Sequence, residues 1–98
     1  MARRSLTYLI CYDIIDDRRR YRIARCLEGF GDRIQYSVFE AVLDADLLTT
    51  MIQELESLLC PEEDKLAIIP VCSSCRKKRR WWGGMGPPWQ DAIDFYVI

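Results

Sequence analysis

A chain of 98 residues, half of them hydrophobic, has room for one domain with a small core, and a domain of this size gains stability from a second copy. A formal charge of -1 excludes a uniformly basic nucleic-acid binder, and the lack of any histidine excludes imidazole acid-base chemistry and imidazole metal ligands. No apolar run approaches membrane-spanning length.

The net charge conceals a segregation along the chain. Residues 1–40 hold eight arginines against six acids, residues 41–64 hold seven acids and no base, and residues 65–80 hold six bases and no acid. Such a chain can present a basic face able to bind phosphate although the whole is slightly acidic. The five cysteines, an odd number, read as reduced thiols. Met1-Ala2-Arg3-Arg4 leads into an apolar run broken at Asp13, which does not read as a signal peptide, so a cytoplasmic location and no membrane association are expected.

The first predicted element is a strand over residues 6–14, rich in Tyr, Ile, Leu and Thr and closed by Asp13. A carboxylate at the end of a core strand is costly to bury unless paired, hydrogen-bonded or metal-bound. Asp13 therefore reads either as a helix cap or ion-pair partner of the arginines at 18–22, or as a metal-binding or catalytic acid. Asp16 or Asp17 can cap a helix with Ile23, Leu27 and Phe30 on its apolar side, ended by Gly29 and Gly31. Arg18, Arg22 and Arg25 share another side, with Arg19 and Arg20 near the start. Arginines rather than lysines suit planar phosphate recognition, the alternative being an ordinary solvated surface. Residues 33–43 are β-rich and too long for one strand, which predicts a turn near Tyr36-Ser37 between strands at 33–35 and 38–43.

Asp44 begins a second predicted helix, with Leu47, Leu48, Met51, Leu55 and Leu59 toward the core and Glu54 and Glu56 toward water, ended by Pro61. Residues 65–71 form a further strand, with Pro70 marking an end or edge. The order βαββαβ predicts an α+β, ferredoxin-like sandwich of two helices on a four-stranded antiparallel sheet.

Residues 1–75 are assigned to this unit, and 76–98 to a dimer-completing part of the same domain. That tail begins with the basic run Arg76, Lys77, Lys78, Arg79, Arg80 and Trp81-Trp82, which combines phosphate-neutralising charge with stacking surface; two packing tryptophans beside a solvated run are the alternative. A Gly/Pro-rich link follows, and then an apolar strand at 93–98 that should add to a sheet edge, expected to be that of a second copy. Cys72 and Cys75 form a single CxxC, a weak zinc signal without a second pair or a histidine; ordinary free thiols are expected.

Tyr12-Asp13-Ile14 with Asp16-Asp17, the arginine-rich helix, Arg33 through Glu40 and Pro61-Glu62-Glu63-Asp64 resemble the small CRISPR-associated protein two family. The resemblance spans most of residues 6–71, and its Gln-Tyr-Ser-Val-Phe-Glu segment is the specific part. It implies a homodimer with an exchanged last strand, in which two copies of Asp13 face each other and hold a divalent ion, Mg²⁺. By the same resemblance Tyr12, Arg20, Arg22, Arg33 and Phe39 fall on positions linked to activity, with Asp13 the catalytic and metal-binding acid. Arg18, Arg19 and residues 76–80 are expected to bind nucleic acid. The implied function is a Mg²⁺-dependent endonuclease, acting on RNA or DNA, that takes part in spacer acquisition with the CRISPR integrase. Two alternatives stay open: a non-catalytic dimeric scaffold that bridges integrase copies on duplex DNA, and a toxin-like ribonuclease of the same fold.

Overall fold

In the computed structural model, which describes residues 4–78 and 80, strands and helices follow as β1 (Leu6–Asp13), α1 (Asp17–Glu28), β2 (Asp32–Gln35), β3 (Val38–Leu43), α2 (Ala45–Leu58), β4 (Lys65–Val71) and a short α3 (Ser73–Lys77). The four strands form one antiparallel sheet in the order β2-β3-β1-β4. Strand β3 lies between β1 and β2, and β1 lies between β3 and β4, so α1 and α2 each connect strands that are not neighbours. This is the expected α+β, ferredoxin-like order.

Alternation along β1 sorts the two sides of the sheet. Ile10 and Tyr12 are buried on the helix side; Phe39 is the register partner of Ile10 and is buried with it. Leu9, Cys11 and Asp13 belong to the other side, with Val42 of β3 and Ile69 of β4. Ile10, Ile23, Leu27, Phe39, Leu43, Met51 and Leu55 are almost completely enclosed. Each contributes about 1.5–3 kcal/mol through burial before ordering costs.

Both long helices start on an aspartate side chain. The Arg19 amide donates to Asp16 at 2.8 Å and the Leu47 amide to Asp44 at 2.8 Å, satisfying N–H groups that have no partner within the helix. Leu47 departs from expectation, being 47% exposed. A step of four residues advances about 40° around a helix, so a stripe centred on Met51 and Leu55 leaves Leu47 at its margin. Gly31 is a packing glycine: a Cβ there would meet the Glu40 carbonyl at 2.2 Å and the Ala41 Cβ at 2.7 Å. Its lack of a side chain lets the α1–β2 connection lie directly on β3.

Asp13 also differs from the expectation of a buried acid. The buried residues at this end are Tyr12 and Ile14, and the Asp13 side chain is exposed. No desolvation cost therefore demands a partner, and the α1 cap belongs to Asp16. Helix α3 runs across the boundary expected between residues 75 and 76. Trp81-Trp82, the Gly/Pro link and the expected strand at 93–98 lie outside the described residues.

Candidate functional site

The residues singled out by the sequence gather at one end of the sheet, where β1 stops, β2 turns into β3, α1 begins and β4 starts. Tyr12 anchors it. Its backbone N–H donates to the Ser37 carbonyl at 3.1 Å, joining β1 to the turn after β2. Its ring stacks on Phe39 with centroids 6.3 Å apart and planes at 27°. Burial pushes its phenol pKa up, and the nearby Arg33 guanidinium opposes the rise.

Arg33 is the register partner of Phe39 across β2 and β3, and its guanidinium lies over the Phe39 ring, 5.2 Å from the centroid. A one-residue bulge at Ile34 interrupts the register after Arg33. The stack of Arg33, Phe39 and Tyr12 thus follows from strand pairing. Arg20 reaches this end from α1, donating to the Ile14 carbonyl at 2.8 Å and pairing with Asp17. It fastens the loop that immediately follows Asp13.

Tyr12, Asp17, Arg20, Tyr21, Ala24, Arg33 and Tyr36 line a hollow of about 270 Å³. Tyr21 and Tyr36 are 65% and 72% exposed, an uncommon state for large aromatic side chains. Two guanidinium groups beside exposed tyrosine rings can neutralise a phosphate and stack on a base. Four of the expected activity-linked residues, Tyr12, Arg20, Arg33 and Phe39, are brought together here. Arg22 and Arg18 are exposed on α1 and do not line the hollow.

Arg19 has different surroundings. Its guanidinium donates to Asp64 at 2.8 and 3.1 Å and to Glu63 at 3.0 Å, and the Asp64 side chain is fully enclosed. Asp64 also accepts from the Cys60 amide at 2.8 Å, and the Arg19 bond holds its carboxyl below the usual carboxylate range. Arg19 is therefore engaged in joining α1 to the turn before β4. Lys77, Lys78 and Arg80 of the basic run are exposed; Arg79 and the side chain of Arg76 lie outside the described residues.

Asp13 is one residue from Tyr12 but faces the other side of the sheet, at the same end. Its register partner is Lys65, and Cys11, Tyr12, Lys65, Leu66 and Ala67 line a shallow depression with it. Among the described residues no three acidic, histidine or cysteine side chains converge to hold a metal ion. Mg²⁺ takes hard oxygen ligands, keeps several waters and is commonly held by one or two carboxylates together with substrate phosphate. An exposed aspartate is a hard oxygen donor of the kind that chemistry uses.

Sequence reasoning missed Tyr21, Tyr36, Lys65 and Asp64. Tyr36 stands inside the motif that carried the resemblance and Tyr21 directly follows Arg20, so adjacency was the available signal for these two. Lys65 meets Asp13 only through the β1–β4 register, which no local pattern encodes.

Comparison with known proteins matches residues 6–79 to the family model described as CRISPR associated protein Cas2. A Rhodospirillum rubrum protein named CRISPR-associated endoribonuclease Cas2 4 is 44% identical over 72 residues, covering 74% of this chain and 58% of that protein. A Chloroflexus aurantiacus protein named CRISPR-associated endoribonuclease Cas2 1 is 44% identical over 92 residues, covering 93% of this chain and 98% of its own length. Among solved structures, a hypothetical protein TT1823 from Thermus thermophilus superposes with a TM-score of 0.74 at 37% identity, covering 86% of this chain and 96% of that one. Streptococcus pyogenes Cas2, at 18% identity, has the same fold with a TM-score of 0.73 over 80% of this chain and 100% of that one. No helix among the described residues is long and apolar enough to cross a membrane.

Proposed function

The chain belongs to the CRISPR associated protein Cas2 family, and on that premise we propose that it is a homodimeric, Mg²⁺-dependent endonuclease of spacer acquisition that acts on RNA or DNA beside the CRISPR integrase. The observation that carries this reading is the meeting of Tyr12, Arg20 and Arg33 in one hollow at the end of the sheet where Asp13 is exposed. The names of the Rhodospirillum and Chloroflexus relatives support an endoribonuclease activity.

Each residue then has a task. The Arg33 and Arg20 guanidinium groups neutralise phosphate oxygens, and the Tyr21 and Tyr36 rings stack on neighbouring bases. The hydrogen bond from Arg20 to the Ile14 carbonyl fixes the loop after Asp13, so the carboxylate is held at a defined position relative to the bound backbone. Asp13, paired with Asp13 of a second copy, would hold the Mg²⁺ ion, which when bound supplies an activated water and charge neutralisation at the scissile phosphate. With no histidine in the chain, proton removal falls to solvent or to a carboxylate.

The test is cleavage of RNA and of duplex DNA by the purified chain in Mg²⁺, in EDTA and as Asp13→Asn. The exposed side chain makes this substitution neutral for folding. The expected result is Mg²⁺-dependent cleavage reduced at least about a hundredfold in Asp13→Asn, the order of magnitude for loss of a group that stabilises charge in the transition state. Cleavage that persists undiminished in the variant removes Asp13 from the chemistry.

Among the described residues no cluster of three ligating side chains forms around Asp13, which favours a second reading, a dimeric scaffold that binds duplex DNA between integrase copies without cleaving it. In that case Asp13→Asn preserves spacer acquisition while charge reversal at Arg22 weakens DNA binding.

A further inference from the structure

Cys72 directly follows β4 and Cys75 lies within α3, and the proposed nuclease chemistry uses neither. Both side chains are exposed, and their sulfurs lie 3.2 Å apart. The Ser74 hydroxyl lies 3.2 Å from the Cys72 sulfur, so Cys72 has two hydrogen-bonding groups around it. A disulfide needs the sulfurs at about 2.05 Å, a closure of roughly 1 Å that rotation of exposed side chains can supply.

We infer that Cys72 and Cys75 form a redox-active dithiol, with Cys72 as the attacking thiolate and Cys75 as the resolving thiol toward low-molecular-weight disulfides. The Cys72 thiolate attacks one sulfur of a small disulfide, forms a mixed disulfide and expels the other half as a thiolate. Cys75 gives its proton to solvent and attacks the Cys72 sulfur, which closes the internal disulfide and releases the second thiolate. The pair loses two electrons and two protons, and the small disulfide is reduced to two thiols.

The chemical asymmetry that this sequence of events requires is present. Hydrogen bonding with the Ser74 hydroxyl, followed by that with the Cys75 sulfur, holds Cys72 at a pKa of about 7, whereas the hydrogen bond with Cys72 pushes Cys75 up. Burial pushes Cys26 up, and the hydrogen bond to Glu62 pushes Cys60 up. These thiols serve as internal controls. Closing the disulfide would tie the end of β4 to the segment that opens the basic run at residues 76–80.

The test is incubation of the full chain with glutathione disulfide at pH 7, followed by acid trapping and mass mapping of the peptides. The expected product in the wild-type chain is a Cys72–Cys75 disulfide, a loss of two hydrogens with no glutathione retained. Cys75→Ser should hold one glutathione on Cys72. In Cys72→Ser the remaining Cys75 should react several-fold more slowly than Cys72 does in Cys75→Ser, because Cys72 keeps the Ser74 hydroxyl beside its sulfur and carries more thiolate at pH 7. Equal glutathionylation of the two variants, or Cys60 reacting as fast as Cys72, would overturn the inference. So would the absence of the internal disulfide in a wild-type chain that accumulates mixed disulfides.

Discussion

Tyr12 and Asp13 are consecutive and alternate between the two sides of the sheet, and both border the shallow depression beside Lys65 at the end of β1. A nucleic acid that uses both must pass around the end of β1, with its backbone on the arginines of the hollow and its scissile phosphate near Asp13. Arg33 is the most informative residue for this path because it is exposed and its strand position is fixed by pairing. Arg33→Gln is expected to lower the salt slope of single-stranded RNA binding by about 0.7, the share of one phosphate contact. The lost cation–π contact with Phe39 should cost only about 0.5–1 kcal/mol of stability. A salt titration identical to that of the wild-type chain would mean that Arg33 does not touch phosphate.

The elements that support the hollow depend on two local devices. Arg19 and Asp64 connect α1 to the turn before β4, and Asp64→Asn should lower the denaturation midpoint at neutral pH. The native Asp64 carboxyl lies below its ordinary value, so its contribution is complete at neutral pH and is lost as the pH falls from about 4 through the native value. Urea melts at falling pH should therefore show the gap between wild-type and Asp64→Asn closing; a gap that stays constant would contradict the ion pair. At Gly31, Ala would drive a Cβ into the Glu40 carbonyl, with an expected loss of about 1–3 kcal/mol. Reduced RNA affinity should accompany it, because β2 carries Arg33.

Much of this level was legible in the sequence. Two aspartate caps, the helical spacing of Ile23 with Leu27 and of Met51 with Leu55, and the turn at Tyr36-Ser37 are local patterns, and they specify the element order directly. The engagement of Arg19 was not legible, because its partners lie 44 and 45 residues away and Arg18, Arg20 and Arg22 look equivalent to it in composition. The exposure of Asp13 was also hidden, since an apolar strand ending in an acid reads the same whether its tip is enclosed or emerges at the surface.

At the scale of the whole molecule, the side of the sheet opposite the helices presents Val42 at 50% and Ile69 at 45% exposure, and Asp13 lies on that side. Exposed apolar side chains on this side of the sheet favour burial against a second copy, which would also bring two Asp13 carboxylates toward one axis. Val42→Lys is expected to leave the fold intact and shift the chain from dimer to monomer at low micromolar concentration in sedimentation runs. An unchanged sedimentation coefficient would put the dimer contact elsewhere.

A shared site makes a quantitative demand on mixed dimers. When wild-type and Asp13→Asn chains are mixed in equal amounts and left to exchange subunits, half of the dimers carry one carboxylate and about a quarter carry both. If two Asp13 side chains are needed together, the Mg²⁺-dependent cleavage rate per total protein should fall to about one quarter of the wild-type rate. A rate of about one half would mean that each protomer works alone, and would contradict a site built from two copies of Asp13.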